Sequence, residues 1–575
     1  MLEASRLGRF RERKFLDENV DFSDAAAVKK WFEKLLAVEV GDESSFRNWL
    51  DAKAELCSAV DQYGSVLYIN LTCHTEDEQI SVAFENFTKN VHPILIEYDN
   101  RVDARFLELL EKYPLPAGEI ALLEKCCRKD VEMFREENVA LLTKDSLLVQ
   151  KYEKLAGSMM VDDAGEQKTF QQMAKYQYET DRSQRKRGWL ACAQRRYDEK
   201  DAHEALYGDM VRLRSEIAAN AGFDNYLEYG FPRKHRFDYT PQDCKSYHKA
   251  AEELIVPLLG KLYEMRKSEL GVDKLRPWDL LVDTQGRAPL APFDDVSKLP
   301  EKAHEVFSKL SPKLAELFGC MMDNELFDLE SRKGKAPGGY QSTLAEAGLP
   351  FIFANFVGLD DDLRVMFHES GHAFHTFAAR EQSLYEYRHG PMEFCEVASM
   401  SMELFVLPFM DVIYPSAADR NRSKAIQLEK TLQILTSGAM VDAFQHAVYE
   451  RNITSGDELA ALWLELNRRF VPDVLDITGY EEIVSRQWQR ILHFFKVPLY
   501  YIEYCIAQIG ALGIWKNSLA EPEKALDAYW RALTAGGSKP LPELFELANV
   551  KFGMDKTAIE PLAELVRRHI DLCTP

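Results

Sequence analysis

The residues in this chain best suited to do chemistry lie in Val365-Met-Phe-His368-Glu369-Ser370-Gly371-His372-Ala-Phe-His375. On a helix, residues four apart share one face, so His368 and His372 can aim both imidazoles at one metal ion. Glu369 sits beside that face, within reach of a water on the same ion. This is the arrangement for metal-assisted hydrolysis, with zinc as the ion and the glutamate as general base. Three aspartates, Asp360 to Asp362, precede the motif and suit a helix start. Leu363, Met366, Phe367, Phe374 and Phe377 recur near helical spacing and predict one buried face.

A catalytic zinc needs a third protein ligand and an open position. The longer pattern that puts a third histidine on the same helix is excluded, because its Gly position is His375 and its His position is Ala378. The ligand must come from a later element. A helix predicted from Pro391 offers Glu393, Glu396 and Glu403. Glu393 falls in the first turn, where a glutamate is favoured for capping alone. Glu396 has no such role and lies among Phe394 and Val397, where a carboxylate needs a partner. Glu396 is therefore the expected third ligand, with Glu403 as the alternative. His375 reads as a donor to the ligands or as a core histidine.

His-Glu-Ser-Gly-His-Ala-Phe-His, followed by Glu-Phe-Cys-Glu-Val-Ala-Ser, resembles the thimet oligopeptidase and oligoendopeptidase F family of zinc peptidases, in particular its bacterial Pz-peptidase-like branch. The resemblance spans Trp189 to the C-terminus and is strongest from Gly338 to Ser399. It implies one zinc per chain on His368, His372 and Glu396, a gluzincin ligand set, with Ser399 completing the motif. It also implies a mainly helical, two-lobed fold closing over a deep channel, with a small β-sheet beside the zinc helix. Such a channel admits short unstructured peptides and excludes folded proteins.

Two further segments take meaning from that resemblance. Leu349 to Val357 is an apolar, aromatic run that reads as a strand, and Pro350 near its start suggests a sheet edge, with a buried strand as the alternative. An edge there could hold an extended peptide by backbone hydrogen bonds; in the resembling family a strand just before the zinc helix carries substrate. His493-Phe-Phe-Lys-Val-Pro-Leu-Tyr500-Tyr501-Ile-Glu-Tyr504 reads by composition as an aromatic core stripe. The resemblance instead implies that His493, Tyr500 and Tyr504 contact the oxyanion of the transition state, with Tyr501 as the alternative to Tyr500.

The frame around these segments is helical. Residues 1–190 predict successive helices, among them Asp24–Val38, Ile80–Asn90 and Glu119–Leu142, and show no chemistry of their own. Residues 191–575 form the expected catalytic region, both parts making one compact unit. The net charge of −22 argues against nucleic acid or an anionic membrane as partner. The basic run Arg182 to Arg187 reads as a solvated helix face. No signal core and no apolar run of membrane length occur, and the ten Cys are scattered, so a reducing cytoplasm is the expected location. Together these readings predict an endopeptidase of short peptides. A zinc exopeptidase on a similar scaffold, or a peptide-binding protein with a structural zinc, are the alternatives.

Overall fold

A computed structural model describes residues 1–3 and 6–573. Helices Ala25–Leu36, Glu43–Cys73, His92–Lys112 and Ala117–Met133 share a first apolar core around Trp31, Phe46, Trp49, Tyr98 and Phe106. Asp24 and Asp42 cap two of them by accepting backbone N–H groups. The helix expected over 119–142 is two helices. Phe134 is extended, and the chain resumes as Glu136–Ser158. No Gly or Pro marks this break. The Arg135 guanidinium holds it by donating to the carbonyls of Glu132, Phe134 and Asn220 at 2.9, 2.7 and 3.1 Å.

A second, larger core runs from Ile69 to Ile570 and contains the motif region. The two cores are joined by the 3₁₀ turn Tyr385–Arg388, whose Tyr387 packs into the first core and accepts the Leu123 N–H. The basic run is not simply a solvated face. Arg182 and Arg185 both bind Asp279, which is fully buried, and Arg185 is buried with it.

Two small sheets accompany the helices. β1 (Val161–Asp163) and β2 (Glu166–Lys168) form a hairpin. β3 (Phe327–Glu330), β4 (Tyr340–Leu344) and β5 (Leu349–Phe356) form a sheet of order β3-β5-β4. β5 is thus the central strand, parallel to β3 and antiparallel to β4, and the suggestion that Pro350 marks an edge is corrected. Ile352 donates its N–H to Leu326 on the β3 side at 3.0 Å. Pro350, two residues earlier, faces the same side before β3 begins, so its missing N–H breaks no ladder bond.

The free edge belongs to β4. Gln341 is the register partner of Ile352, whose N–H points to β3, so this is a non-hydrogen-bonded pair. Gln341, and Thr343 opposite Pro350, therefore turn their backbone groups away from β5. Among the described residues, no helix is long and apolar enough to cross a membrane.

Candidate active site

The motif helix runs Asp360–Ala379 and follows β5 through a tight turn at Gly358, where φ is +91°. Asp362 fixes that turn. Its Oδ2 accepts the N–H groups of Val357, Gly358 and Leu359 at 2.8, 2.6 and 2.9 Å. The apolar face meets Phe307, whose ring lies edge-on to Phe367 and Phe374. The next helix, Met392–Phe405, crosses the motif helix at Gly371. A Cβ there would lie 2.5 Å from both the Ala398 oxygen and the Ser399 Cα. Glycine at this position lets the two backbones approach closely.

That approach brings Glu396 to the motif histidines. Glu396 Oε2 lies 3.3 Å from His368 Nε2 and 3.4 Å from His372 Nε2. All three ligand atoms fall within 4.8 Å of one another. Tetrahedral coordination with bonds of about 2.0–2.2 Å places neighbouring donor atoms roughly 3.3–3.6 Å apart, so the donor set fits a metal ion of that geometry. The electrostatics also call for a cation. Burial opposes charge on His368, but hydrogen bonds to Glu396 and Glu403 outweigh it and hold its imidazole well above the ordinary range. Glu396 in turn is held well below the usual carboxylate range, the two imidazoles overcoming its burial.

Both Glu396 oxygens are engaged. Ser399 Oγ donates to Oε2 at 3.0 Å, and the Tyr500 hydroxyl donates to Oε1 at 2.5 Å. Glu403, the alternative ligand, stands behind the site. Its Oε1 is 2.7 Å from His368 Nδ1, and its Oε2 accepts from Gln427 at 2.6 Å. This carboxylate orients the ring and leaves Nε2 free for a metal.

Glu369 is buried, and its carboxylate is not one of the three clustered ligand atoms. Burial raises its carboxyl above the ordinary value; the neighbouring His368 and His372 offset part of that, and the outward Gln341 N–H of β4 a smaller part. Gly339, just before β4, lies close to the motif helix: a Cβ there would lie 3.3 Å from Val365 Cγ1. The carboxylate and the metal-ligand set face a cavity of about 720 Å³, lined by Gly338 to Thr343 and by Tyr68, Tyr152 and Glu153 of the N-terminal helices.

His493 and the tyrosines close another wall. His493 Nε2 is 3.0 Å from the Tyr504 hydroxyl. Burial lowers the His493 pKa to about 4 and raises Tyr504 well above its ordinary value, so both are neutral near pH 7 and able to donate. Tyr501 packs edge-on against His493, and among the described residues its hydroxyl makes no hydrogen bond. The preceding turn is strained, with buried Leu499 at a φ of +62°. Arg236 donates to the Leu499 oxygen at 2.5 Å and to Glu503 at 2.6 Å, while Gln445 Oε1 accepts the Leu499 N–H at 2.9 Å.

Residues 175–564 match the model of peptidase family M3. The chain belongs to this family. It is 23% identical over 381 residues to oligopeptidase PepF of Bacillus subtilis (strain 168), a match covering 63% of this chain and 55% of that protein. The chain thus spans little more than half the length of that relative. A solved structure of Pz peptidase A with an inhibitor matches with a TM-score of 0.91 and 28% identity, covering 97% of this chain and 99% of that one. The oligoendopeptidase-F of Enterococcus faecium shares the fold, with a TM-score of 0.66 and 15% identity, covering 96% and 97%.

In this M3 chain the expected residues His368, His372, Glu396, Glu369, His493, Tyr500 and Tyr504 all line one cavity. His375 lines it too, but its Nε2 is buried without a hydrogen-bond partner, and its ring rests against Phe394 and Gly390. The orienting role of Glu403 was readable in its spacing. It follows Glu396 by seven residues, two helical turns, which puts both carboxylates on one face. The packing role of Gly371 had no sequence signal beyond its small size.

Proposed function

We propose that this chain is a zinc-dependent endopeptidase of short, unstructured peptides. The observation that carries the reading is the convergence of His368, His372 and Glu396 on one point, with Glu369 beside them and the free edge of β4 alongside. Zinc, one ion per chain, would be held by His368 Nε2, His372 Nε2 and Glu396 Oε2. When bound it supplies a Lewis acid for the scissile carbonyl and acidifies the attacking water. Glu369 accepts the proton of that water and passes it to the leaving amine. His493 and Tyr504 donate hydrogen bonds to the developing oxyanion, and Tyr500 steadies Glu396.

The outward backbone of β4 at Thr343 extends the substrate as an added strand. Thr343 offers both its N–H and its C=O, since among the described residues neither enters a backbone hydrogen bond outside the sheet. The N-terminal region, to about residue 190, supplies part of the cavity wall and limits the size of what enters. It acts with residues 191–575 as one two-lobed unit.

The test uses the zinc-loaded chain and a fluorogenic peptide blocked at both ends. Internal cleavage is expected, with Glu369→Gln retaining zinc and losing all but roughly a hundredth of the rate or less. Cleavage only of peptides with a free terminus would assign an exopeptidase. Full activity in Glu369→Gln would remove the proposed base.

A further inference from the structure

The cavity that holds the metal-ligand set is walled by an excess of positive charge, although the chain as a whole carries −22. Six cations line it: Arg196, Arg332, Lys335, Arg388, Arg490 and Lys496. Four are already engaged. Arg332 and Lys335 share Asp328 at 2.6 and 2.8 Å. Lys496 is paired with Glu153 at 2.9 Å. Arg388 donates to Ser58 Oγ and to the carbonyls of Gln382 and Ser383.

Arg196 and Arg490 are left. Among the described residues neither makes a side-chain hydrogen bond or an ion pair. Both line the same cavity, and the helix Arg182–Asp198 that carries Arg196 packs against the 3₁₀ turn Gln487–Arg490. Arg196 lies over the Phe170 ring at 4.0 Å, which holds the plane of its guanidinium without using its donors. Burial, then the Arg490 charge, lowers the Arg196 pKa to about 10. Arg196 feels Arg490 as a like charge, and the two guanidiniums offer ten N–H donors to the cavity for an anion. Of the wall carboxylates, Glu153 is paired with Lys496, and Glu369 and Glu396 belong to the metal-ligand end. Three residues after Arg490 comes His493, so the pair sits on the segment that carries the proposed oxyanion donors.

We propose that Arg196 and Arg490 form an anion subsite that grips a carboxylate of the peptide substrate. Guanidinium forks match a carboxylate bidentately, whereas an ammonium meets it as a point charge. The carboxylate comes either from the C-terminus of a short peptide or from an Asp or Glu side chain. This rests on the peptide-substrate reading and deepens it, since it makes the cavity selective for acidic or short peptides in spite of the acidic surface outside.

The experiment compares four peptides of one sequence: free or amidated at the C-terminus, and with one internal Glu or Gln. Binding is read by fluorescence anisotropy on zinc-loaded Glu369→Gln protein, which separates recognition from turnover. KM and kcat are read on the protein with Glu369 intact. Loss of one charge-assisted hydrogen-bonded contact, worth about 1.5–3 kcal/mol, corresponds to a 10- to 100-fold preference for the carboxylate peptide. The preference should appear in Kd and KM and hardly in kcat. It should collapse in Arg196→Gln and in Arg490→Gln, and Arg196→Lys should recover only part of it. Sensitivity to amidation assigns the C-terminus; sensitivity to Glu→Gln assigns the side chain.

Equal affinity for all four peptides in the parent protein overturns the subsite, as does a preference unchanged in both arginine variants. If the preference holds in binding but no peptide is cut with Glu369 intact, the peptidase reading fails and the subsite stands. Melting temperatures of the variants exclude a folding defect, and a variant that fails to fold is replaced by Arg490→Met, which keeps the aliphatic stem.

Discussion

Replacing Gly371 by Ala should loosen the metal site although position 371 touches no metal. The added methyl would lie 2.5 Å from the Ala398 oxygen and from the Ser399 Cα. Carbon atoms need about 3.5 Å, so the helix Met392–Phe405 must retreat by roughly 1 Å. Both obstacles are backbone, which no rotamer change can move aside. Glu396 lies within one turn of Ser399 and retreats with it. Zinc ligation tolerates departures of only about 0.2 Å, so the Glu396 bond is lengthened beyond tolerance. Zinc affinity should then fall by at least the roughly 10–100-fold seen when a ligand loses its orienting partner. Stability changes less. Overpacking costs about 1–3 kcal/mol, offset by about 1 kcal/mol of helix propensity. Competition with a zinc chelator, followed by a thermal melt of the zinc-free protein, separates the two effects. Gly64→Ala, inside the helix Glu43–Cys73, is the control. Its Cβ would meet only the Phe87 ring at 3.4 Å, and it should keep parental zinc affinity. Parental zinc affinity in Gly371→Ala would refute the claim that this crossing sets the position of Glu396.

Three other outcomes follow from the same geometry. Glu403→Leu should lower zinc affinity by roughly 10–100-fold while turnover per bound zinc stays near normal, because it removes the acceptor facing His368 Nδ1 and not a ligand; an unchanged chelator titration would deny that role. Tyr504→Phe should lower kcat by about 10²–10³ with little change in KM and full zinc content, whereas Tyr500→Phe, which frees Glu396 Oε1, should first be seen as weaker zinc retention. His446 is buried and burial lowers its pKa to about 4, against about 6.5 when unfolded. The unfolded chain binds the proton more readily, so the stability from this group is complete above about pH 6.5 and is lost as pH falls toward 4. Urea unfolding of His446→Gln across that range should show a shallower acid limb, and an identical slope would mean the group titrates normally.

Legibility in the sequence followed the range of the interaction. The motif helix could be read because its periodicity, its aspartate start and its two histidines are all local. Glu396 could be read because capping explains Glu393 and leaves a buried carboxylate over. β4 was missed because Tyr-Gln-Ser-Thr-Leu carries little apolar alternation, and its role arises from register against β5. The break at Phe134 was missed because it is held by carbonyls that include Asn220, far along the chain. The N-terminal third showed no chemistry because its contribution is made of single residues brought to the cavity by tertiary packing. Tyr152 stacks on Phe495 at 3.9 Å, and Lys496 reaches back to Glu153. Helical periodicity within either segment does not encode such pairings.

The same contacts sort the aromatic stripe, which composition alone left as core. Glu396 is held from two sides. The motif helix approaches it at Gly371, and the strained Leu499 turn presents Tyr500 to its other oxygen. For Tyr500 to serve an oxyanion, its hydroxyl would have to leave a charge-assisted hydrogen bond to a buried carboxylate. Tyr504 has no such tie, since its hydroxyl meets only the neutral imidazole of His493. Redirecting it therefore exchanges one neutral hydrogen bond for a stronger one to developing charge, which is the condition for binding the transition state more tightly than the substrate. Sustaining a left-handed leucine costs on the order of 1–3 kcal/mol. The clamp of Arg236 and Gln445 that sustains it is thus best understood as fixing Tyr500 on Glu396, and Tyr504 and His493 remain the proposed donors to the oxyanion.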